Sequence, residues 1–422
     1  MLSSSLNPDE LIPYLLIFLD MTLNLTPLRY LIGATIATAL WVPTALGTEV
    51  PPLQLQIPDP SPAEMGVDEQ IWGENGFHRD WTVLMQAVNH SLSYLQSPKA
   101  AEDYAKLSSQ LTPFGIDRDR VLKSVQRFRQ LLLTAPSPQA LQRQVQQEFV
   151  FYQSTGTDGQ GRVHFTAYFE PTYGASRQRS AIYRYPLYRR PADLETWPMP
   201  HPTRLALEGA DALQGGQGPL RGLELVWLAD RLEAYLIQVQ GSARLQLTDD
   251  SIMAVGYNGR TEYAYRSIGR ALVEDGHFSA EELTLPKVID YFQRHPQDLD
   301  RYIPQNDRFV FFKETTGTPA TGSIGVPVLP ERSIATDKSL MPPGALVLMN
   351  LALPYATADR GVYESRQVSR YALNQDTGGA IQGPGRVDIF LGTGAVAGER
   401  AGLVNSDGQI YYLLLKEKDT LN

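Results

Sequence analysis

Eight runs between residues 163 and 416 read as β-strands: VHFTAYFEP, LELVWLA, EAYLIQVQGSARLQL, SIMAVGY, RFVFFKE, ALVLMN, RVDIFLG and QIYYLLLK. They are predominantly apolar and separated by turn formers. So many short strands leave many edges to protect, which favours a largely antiparallel body that closes into a barrel-like form. One helix interrupts the strands, at about Tyr265 to Glu274. A second helical stretch, Ser279 to Arg294, contains Pro286 and is expected to break there.

The chain before the strands reads differently. From about 76 to 150 apolar residues recur at helical spacing, as in Trp81, Leu84, Met85, Val88, Leu92 and Leu95, and in Val121, Val125 and Phe128. Ser137 followed by Pro138 predicts an N-cap with proline in the first turn, opening a helix through Gln146. Residues 48–62, TEVPPLQLQIPDPSP, hold five prolines without a packing pattern and are expected to be a linker. From Met21, Arg29 supplies a positive flank and Leu31 to Val42 an apolar stretch shorter than a membrane span. Ala45 and Gly47 then offer small residues for cleavage before Thr48. Translation is expected to start at Met21, with the segment acting as an export signal to the periplasm; a retained anchor is the second reading.

Composition removes several classes of function. The 422 residues carry a net charge of −9, which argues against nucleic acid as a partner. There is no cysteine, so disulfides, thiolate nucleophiles, thiolate metal sites and a lipid-accepting lipoprotein cysteine are excluded. The six histidines, at 78, 90, 164, 201, 277 and 295, form no H-x-x-x-H pair, so a histidine-built metal site is not expected.

Two motifs near the C-terminus invite misreading. Asp376 sits in a D-T-G triplet, but an aspartic protease needs two such carboxylates sharing a proton. This chain has one D-T-G, preceded by polar Asn374 and Gln375. The segment GTGAVA, from Gly392 to Ala397, fits a dinucleotide glycine pattern. That fold requires a helix, another strand and a later acid. The NSDG turn at 405–408 leaves little room for them, so the glycines are read as barrel turns.

The acids themselves are more informative. In RVDIFL, alternation places Arg386, Asp388 and Phe390 on one face and Val387, Ile389 and Leu391 on the core face. An aromatic, desolvating neighbour would raise the Asp388 pKa, while a paired Arg386 would lower it. The sequence alone leaves that balance open, and a structural role in a turn or an Arg386 pair stands beside a catalytic one.

The stretch as a whole resembles the C-terminal 3D domain, named for three aspartates, of the membrane-bound lytic murein transglycosylase A family, glycoside hydrolase family 102. Here the three are Asp337 in GVPVLPERSIATD, Asp376 in QDTGGAI and Asp388 in GRVDIFLGTG. Upstream, FTAYFEP, VQGSARLQL, VGYNGR and YRSIGRAL resemble the family's insert domain in the family's order. The similarity covers about residues 150 to 415; the helical region carries none of these motifs. Well-known members are lipoproteins, a feature this cysteine-free chain lacks.

The resemblance implies a mainly β fold with an N-terminal helical part. A double-psi β-barrel would carry an inserted second β-barrel-like domain, with a glycan groove between them. The boundaries that follow are 1–47 for an N-terminal extension and signal peptide, 48–75 for the linker and 76–165 for the helical region leading into the barrel. Residues 166–314 would form the insert domain and 315–415 the 3D barrel. It further implies non-hydrolytic cleavage of the β-1,4 bond between N-acetylmuramic acid and N-acetylglucosamine, leaving a 1,6-anhydro sugar. The family's catalytic position falls on Asp388, with Asp376 and Asp337 in support. Thr166, Tyr168, Gln240, Tyr257 and Asn258 are candidates for sugar binding, against plain packing or turn roles. Peptidoglycan strands are the expected partner, other cell-wall enzymes are candidate partners, and the chain is expected to act as a monomer without metal or organic cofactor. A non-catalytic wall-binding module and a muramidase-type hydrolase are the competing readings.

Overall fold

The computed structural model describes residues 51–56, 59–279, 283–359 and 362–417. The export segment expected over residues 1–47 lies outside the described residues. Among the described residues no helix is long and apolar enough to cross a membrane.

Fourteen strands build two sheets among the described residues. They are β1 (Leu53–Leu55), β2 (Phe149–Ser154), β3 (Val163–Glu170), β4 (Thr172–Ser176), β5 (Tyr185–Tyr188), β6 (Glu224–Leu228) and β7 (Ser242–Leu247). After them come β8 (Ile252–Arg260), β9 (Val310–Glu314), β10 (Ser333–Ala335), β11 (Leu346–Ala356), β12 (Tyr363–Asp376), β13 (Arg386–Thr393) and β14 (Ser406–Leu415). The first sheet runs β1-β2-β14-β11-β12-β10-β13-β3, and β14 also pairs with β3. That last pairing closes a six-stranded barrel of β3, β13, β10, β12, β11 and β14, with β2 and β1 as a flap on β14. Closure removes the free edges that so many strands would otherwise expose. The second sheet runs β5-β6-β4-β7-β8-β9. A parallel bridge between Arg189 and Phe312 brings its two ends together, so it too is barrel-like. The chain leaves the first barrel after β3, builds the second from residues 172 to 314, and returns at β10.

The helical part belongs to the barrel rather than standing beside it. Helices Trp81–Leu95, Pro98–Leu111, Arg118–Thr134 and Pro138–Glu148 share one core with β11, β12 and β14. Phe128 packs its ring 5.0 Å from that of Tyr371. Ser137 caps the last of these helices by accepting from Ala140 N–H, as its Ser-Pro signal predicts.

Several local expectations are corrected. EAYLIQVQGSARLQL is not one strand. Its first half is the helix Arg231–Gln240, capped by Asp230 and ended by Gly241 in the left-handed conformation, φ 81°. Leu232, Tyr235 and Leu236 face one core while Ala234 and Ile237 face another. A helix buried on two sides is apolar nearly all round, which hides its period. The helix expected from Tyr265 begins at Ile268, after the Ser267 cap. Pro286 breaks nothing, because it lies in the first turn of helix Leu285–Arg294 under the Thr284 cap.

The glycines of GTGAVA do open a short helix, Ala395–Ala401, and NSDG is not a turn, since Ser406–Gly408 pair with β3. The dinucleotide reading still fails, because β14 runs antiparallel to β3, which is parallel to β13. The proline-rich stretch is no bare linker either. Leu53, Met65 and Ile71 are fully buried, and β1 pairs with β2.

Candidate active site

Strand register gathers the three aspartates around β10. Ala335 on β10 pairs with Asp388 of β13 on one side and with Asp376 of β12 on the other. Asp337 follows two residues later, where the strand gives way to a loop. On its far side β13 lies parallel to β3, which sets Thr166 opposite Asp388 and Tyr168 opposite Phe390. Along β13 the faces divide as the alternation predicts: Val387, Ile389 and Leu391 join the main core, while Phe390 packs in a small cluster with Ala320, Val328 and Tyr168.

Each acid has a different environment. Asp388 Oδ1 accepts a 2.9 Å hydrogen bond from Thr166 Oγ1. Burial pushes its pKa up to about 6, with the nearby Asp376 charge adding to the rise. The Thr166 bond and Arg386 oppose this without cancelling it. Among the described residues Arg386 makes no ion pair with Asp388, and its Nη1 is buried without a hydrogen-bond partner. Desolvation therefore wins the contest between aromatic and basic neighbours.

Asp376 also sits above the usual carboxylate range because of burial, although hydrogen bonds hold it back. Tyr168 OH donates to its Oδ2 at 2.8 Å, and the Ser323 and Thr377 amides each donate to Oδ1 at 2.8 Å. Asp337 joins two loops: Gly383 N–H donates to Oδ2 at 2.7 Å, and Ser339 donates to Oδ1 through its amide at 2.9 Å and its hydroxyl at 2.6 Å.

The remaining candidates fall into two groups. Thr166 and Tyr168 are spent on the acids just described. Gln240, at the end of its helix, accepts from Phe169 N–H at 3.4 Å and so ties the second barrel to β3. Tyr257 and Asn258 lie on β8 in the second barrel. Tyr257 is 51% exposed, and the Asn258 amide makes no hydrogen bond among the described residues. Sequence reading missed Glu170, the last residue of β3, which is 1% exposed. It accepts from Thr393 Oγ1 at 2.8 Å and from Arg244 of β7 at 3.3 Å, an ion pair at the passage between the barrels. Its place in FTAYFEP, the last polar residue before Pro171, was the available signal. Among the described residues Glu233 is another carboxyl pushed near neutrality, to about 7 by burial and Asp230, but it lies in the first turn of helix Arg231–Gln240, where its backbone N–H donates to the capping Asp230, with no second acid opposed across a strand. Among the described residues no cluster of His, Asp and Glu side chains could hold a metal ion.

Comparison with known proteins bears on the family and the fold. Residues 164–313 match the MltA specific insert domain, and residues 332–414 match the 3D domain. The membrane-bound lytic murein transglycosylase A of Vibrio cholerae is 32% identical over 63% of this chain and 69% of its own length. This chain belongs to the membrane-bound lytic murein transglycosylase A family. The Escherichia coli K12 relative of the same name is 30% identical over 62% of this chain and 68% of its own. Among solved structures, E. coli MltA with bound chitohexaose has a TM-score of 0.65 at 25% identity, covering 88% of this chain and 97% of its own. The Agrobacterium tumefaciens membrane-bound lytic murein transglycosylase gives 0.57 at 26% identity, over 71% and 85%.

Proposed function

We propose that Asp388 is the single acid–base group of this peptidoglycan lytic transglycosylase. Protonated, it donates to the bridging oxygen between N-acetylmuramic acid and N-acetylglucosamine, and the C1–O4 bond breaks. The same residue, now a carboxylate, takes the proton from the muramyl 6-hydroxyl as O6 bonds to C1. The products are a free 4-hydroxyl and a 1,6-anhydro sugar, with no water consumed. Ordinary glycosidases need a second carboxylate to act as nucleophile or to activate water. Here the sugar's own hydroxyl takes that part, so one carboxyl serves twice. The observation that carries this reading is Asp388 itself, desolvated, pushed up to about 6 and aimed by Thr166 beside a second acid. Asp376 and Asp337 support it, the first through its charge and the second through the loops.

The chitohexaose bound to the E. coli relative supports a glycan strand as the ligand of this chain. The relatives named membrane-bound, together with the segment from Met21 to Gly47, support action at the cell envelope after export. Digesting purified peptidoglycan and weighing the fragments tests the reaction. Anhydro fragments one water lighter than muramidase products are expected; fragments of hydrolysed mass, or none, would overturn it.

A further inference from the structure

Two arginines of the second barrel converge on one carbonyl. Arg308 Nε donates to Tyr263 O at 2.7 Å, and Arg260 Nη1 donates to the same oxygen at 3.4 Å. Their guanidinium groups therefore lie side by side. Arg308 is 9% exposed, and its tip reaches the loop of the first barrel that follows Asp376. A Cβ added at Gly379 would lie 1.9 Å from Arg308 Nη1. The half-exposed ring of Tyr257 borders the same place, near both Arg260 and Arg308.

What this pair lacks is a counter-ion. Among the described residues the three fully buried arginines each have one: Arg204 holds Glu208, Arg332 holds Asp68, and Arg370 holds Glu331. Neither Arg260 nor Arg308 forms an ion pair among the described residues, and Glu262, the nearby acid, is exposed. Burial and the neighbouring Arg260 charge bring Arg308 down to about 10, as two crowded like charges would. In a chain of net charge −9, an adjacent, unneutralised arginine pair at the junction of the barrels is a place prepared for an anion. Two guanidinium forks match the planar, two-oxygen geometry of a carboxylate.

We propose that Arg260 and Arg308 form a subsite for a carboxylate of the peptide stem that the substrate's N-acetylmuramic acid carries. The inference rests on the glycan-cleaving reading above. The position fits it: the stem branches from the muramyl unit whose C1 must lie at Asp388, and Gly379 is three residues beyond Asp376. Gly379 fits this role, since a Cβ there would push Arg308 Nη1 from its place.

The test compares the full chain on glycan strands bearing stems, on strands stripped of stems by an amidase with the lactyl carboxylate so exposed converted to an amide, and on strands whose stem carboxylates are converted to amides. The wild type is expected to show a higher kcat/KM on stem-bearing strands than on the other two. Arg260→Gln and Arg308→Lys should each cut that preference roughly tenfold or more, the loss typical of a charged hydrogen bond. Rates on stripped strands report whether each variant is folded. Equal wild-type rates on all three substrates would overturn the subsite, and so would variants that slow stripped and stem-bearing strands alike. Failure of the underlying reading looks different: no anhydro product from any strand with the wild type.

Discussion

At the scale of single residues, Asp388 has to hold a proton and then give it up, and both are easiest when its pKa lies near the working pH. Its value of about 6 meets that demand through desolvation. The acid must be protonated at the start, so kcat/KM is expected to be flat below about pH 6 and to fall about tenfold per unit above it. Asp388→Asn keeps size and shape but cannot exchange a proton, and should lose a factor of about 10²–10⁴ in rate. A variant retaining more than about a tenth of the rate would exclude Asp388 as the acid. Its stability should not suffer. A carboxyl whose folded pKa is raised favours the folded state at low pH and opposes it as pH rises past about 6, so at pH 7 Asn relieves a penalty. The melting temperature at pH 7 is expected to equal or exceed that of the wild type. Asp376→Asn makes a separate prediction. The Asp376 charge pushes the Asp388 value up, so removing it should move the descending limb of the pH profile to lower pH. A limb that stays in place, or moves up, would remove Asp376 from that role.

At the scale of elements, β10 is three residues long yet is the member that the other strands of the site meet. Such a short strand is held by its exits as much as by its ladder. Asp337 supplies one exit by accepting from Gly383 and Ser339, and thereby fixes the loop that connects Asp376 to Asp388. Asp337→Ala leaves two backbone amides without that acceptor and should cost about 1–3 kcal/mol in a denaturant titration, with activity falling in parallel. An activity loss with unchanged stability would instead place Asp337 against the substrate.

The same elements explain what sequence could and could not convey. RVDIFL announced both faces of β13 because period-two alternation survives when one face meets a core. The long strand β12, YESRQVSRYALNQD, gave no such signal. Its second half buries Arg370, Asn374 and Gln375, polar residues that read as surface. The Gln375 Nε2 donates to Ala87 O and Ser91 Oγ, 288 and 284 positions earlier, while its Oε1 accepts from Ser333 Oγ. Long-range partners of that kind leave no local trace. The acids of the site were visible by motif, and their grouping was not, because it depends on a parallel β3–β13 pairing across the whole inserted barrel.

At the scale of the molecule, the region between β1 and the first long helix proves to be a fastening for the first barrel. Asp68, 3% exposed, forms ion pairs with Arg332 and Arg370 and accepts from Tyr371 N–H at 2.9 Å. Asp80 joins through Arg332. Arg370 and Arg400 continue the network to Glu331; they outweigh its burial and hold that carboxyl down to about 2. Arg332 and Arg370 are essentially inaccessible to water, at 0% and 1% exposure. Taking one anion from such a network leaves buried cations uncompensated, a change that typically costs about 3–5 kcal/mol. Asp68→Ala should therefore lower unfolding free energy by roughly that amount. Asp337→Ala is expected to cost less, because its partners can turn to water. Arg332 immediately precedes Ser333, the first residue of β10, so the loss should also loosen the strand between the acids and reduce activity before the protein unfolds. Starting the chain at residue 76 should have the larger effect, removing Asp68 together with β1. If residues 51–75 were only a tether, both changes would leave the denaturation midpoint where it was. A midpoint shifted by neither would sink the fastening, and with it the claim that β10 is braced from the far end of the sequence.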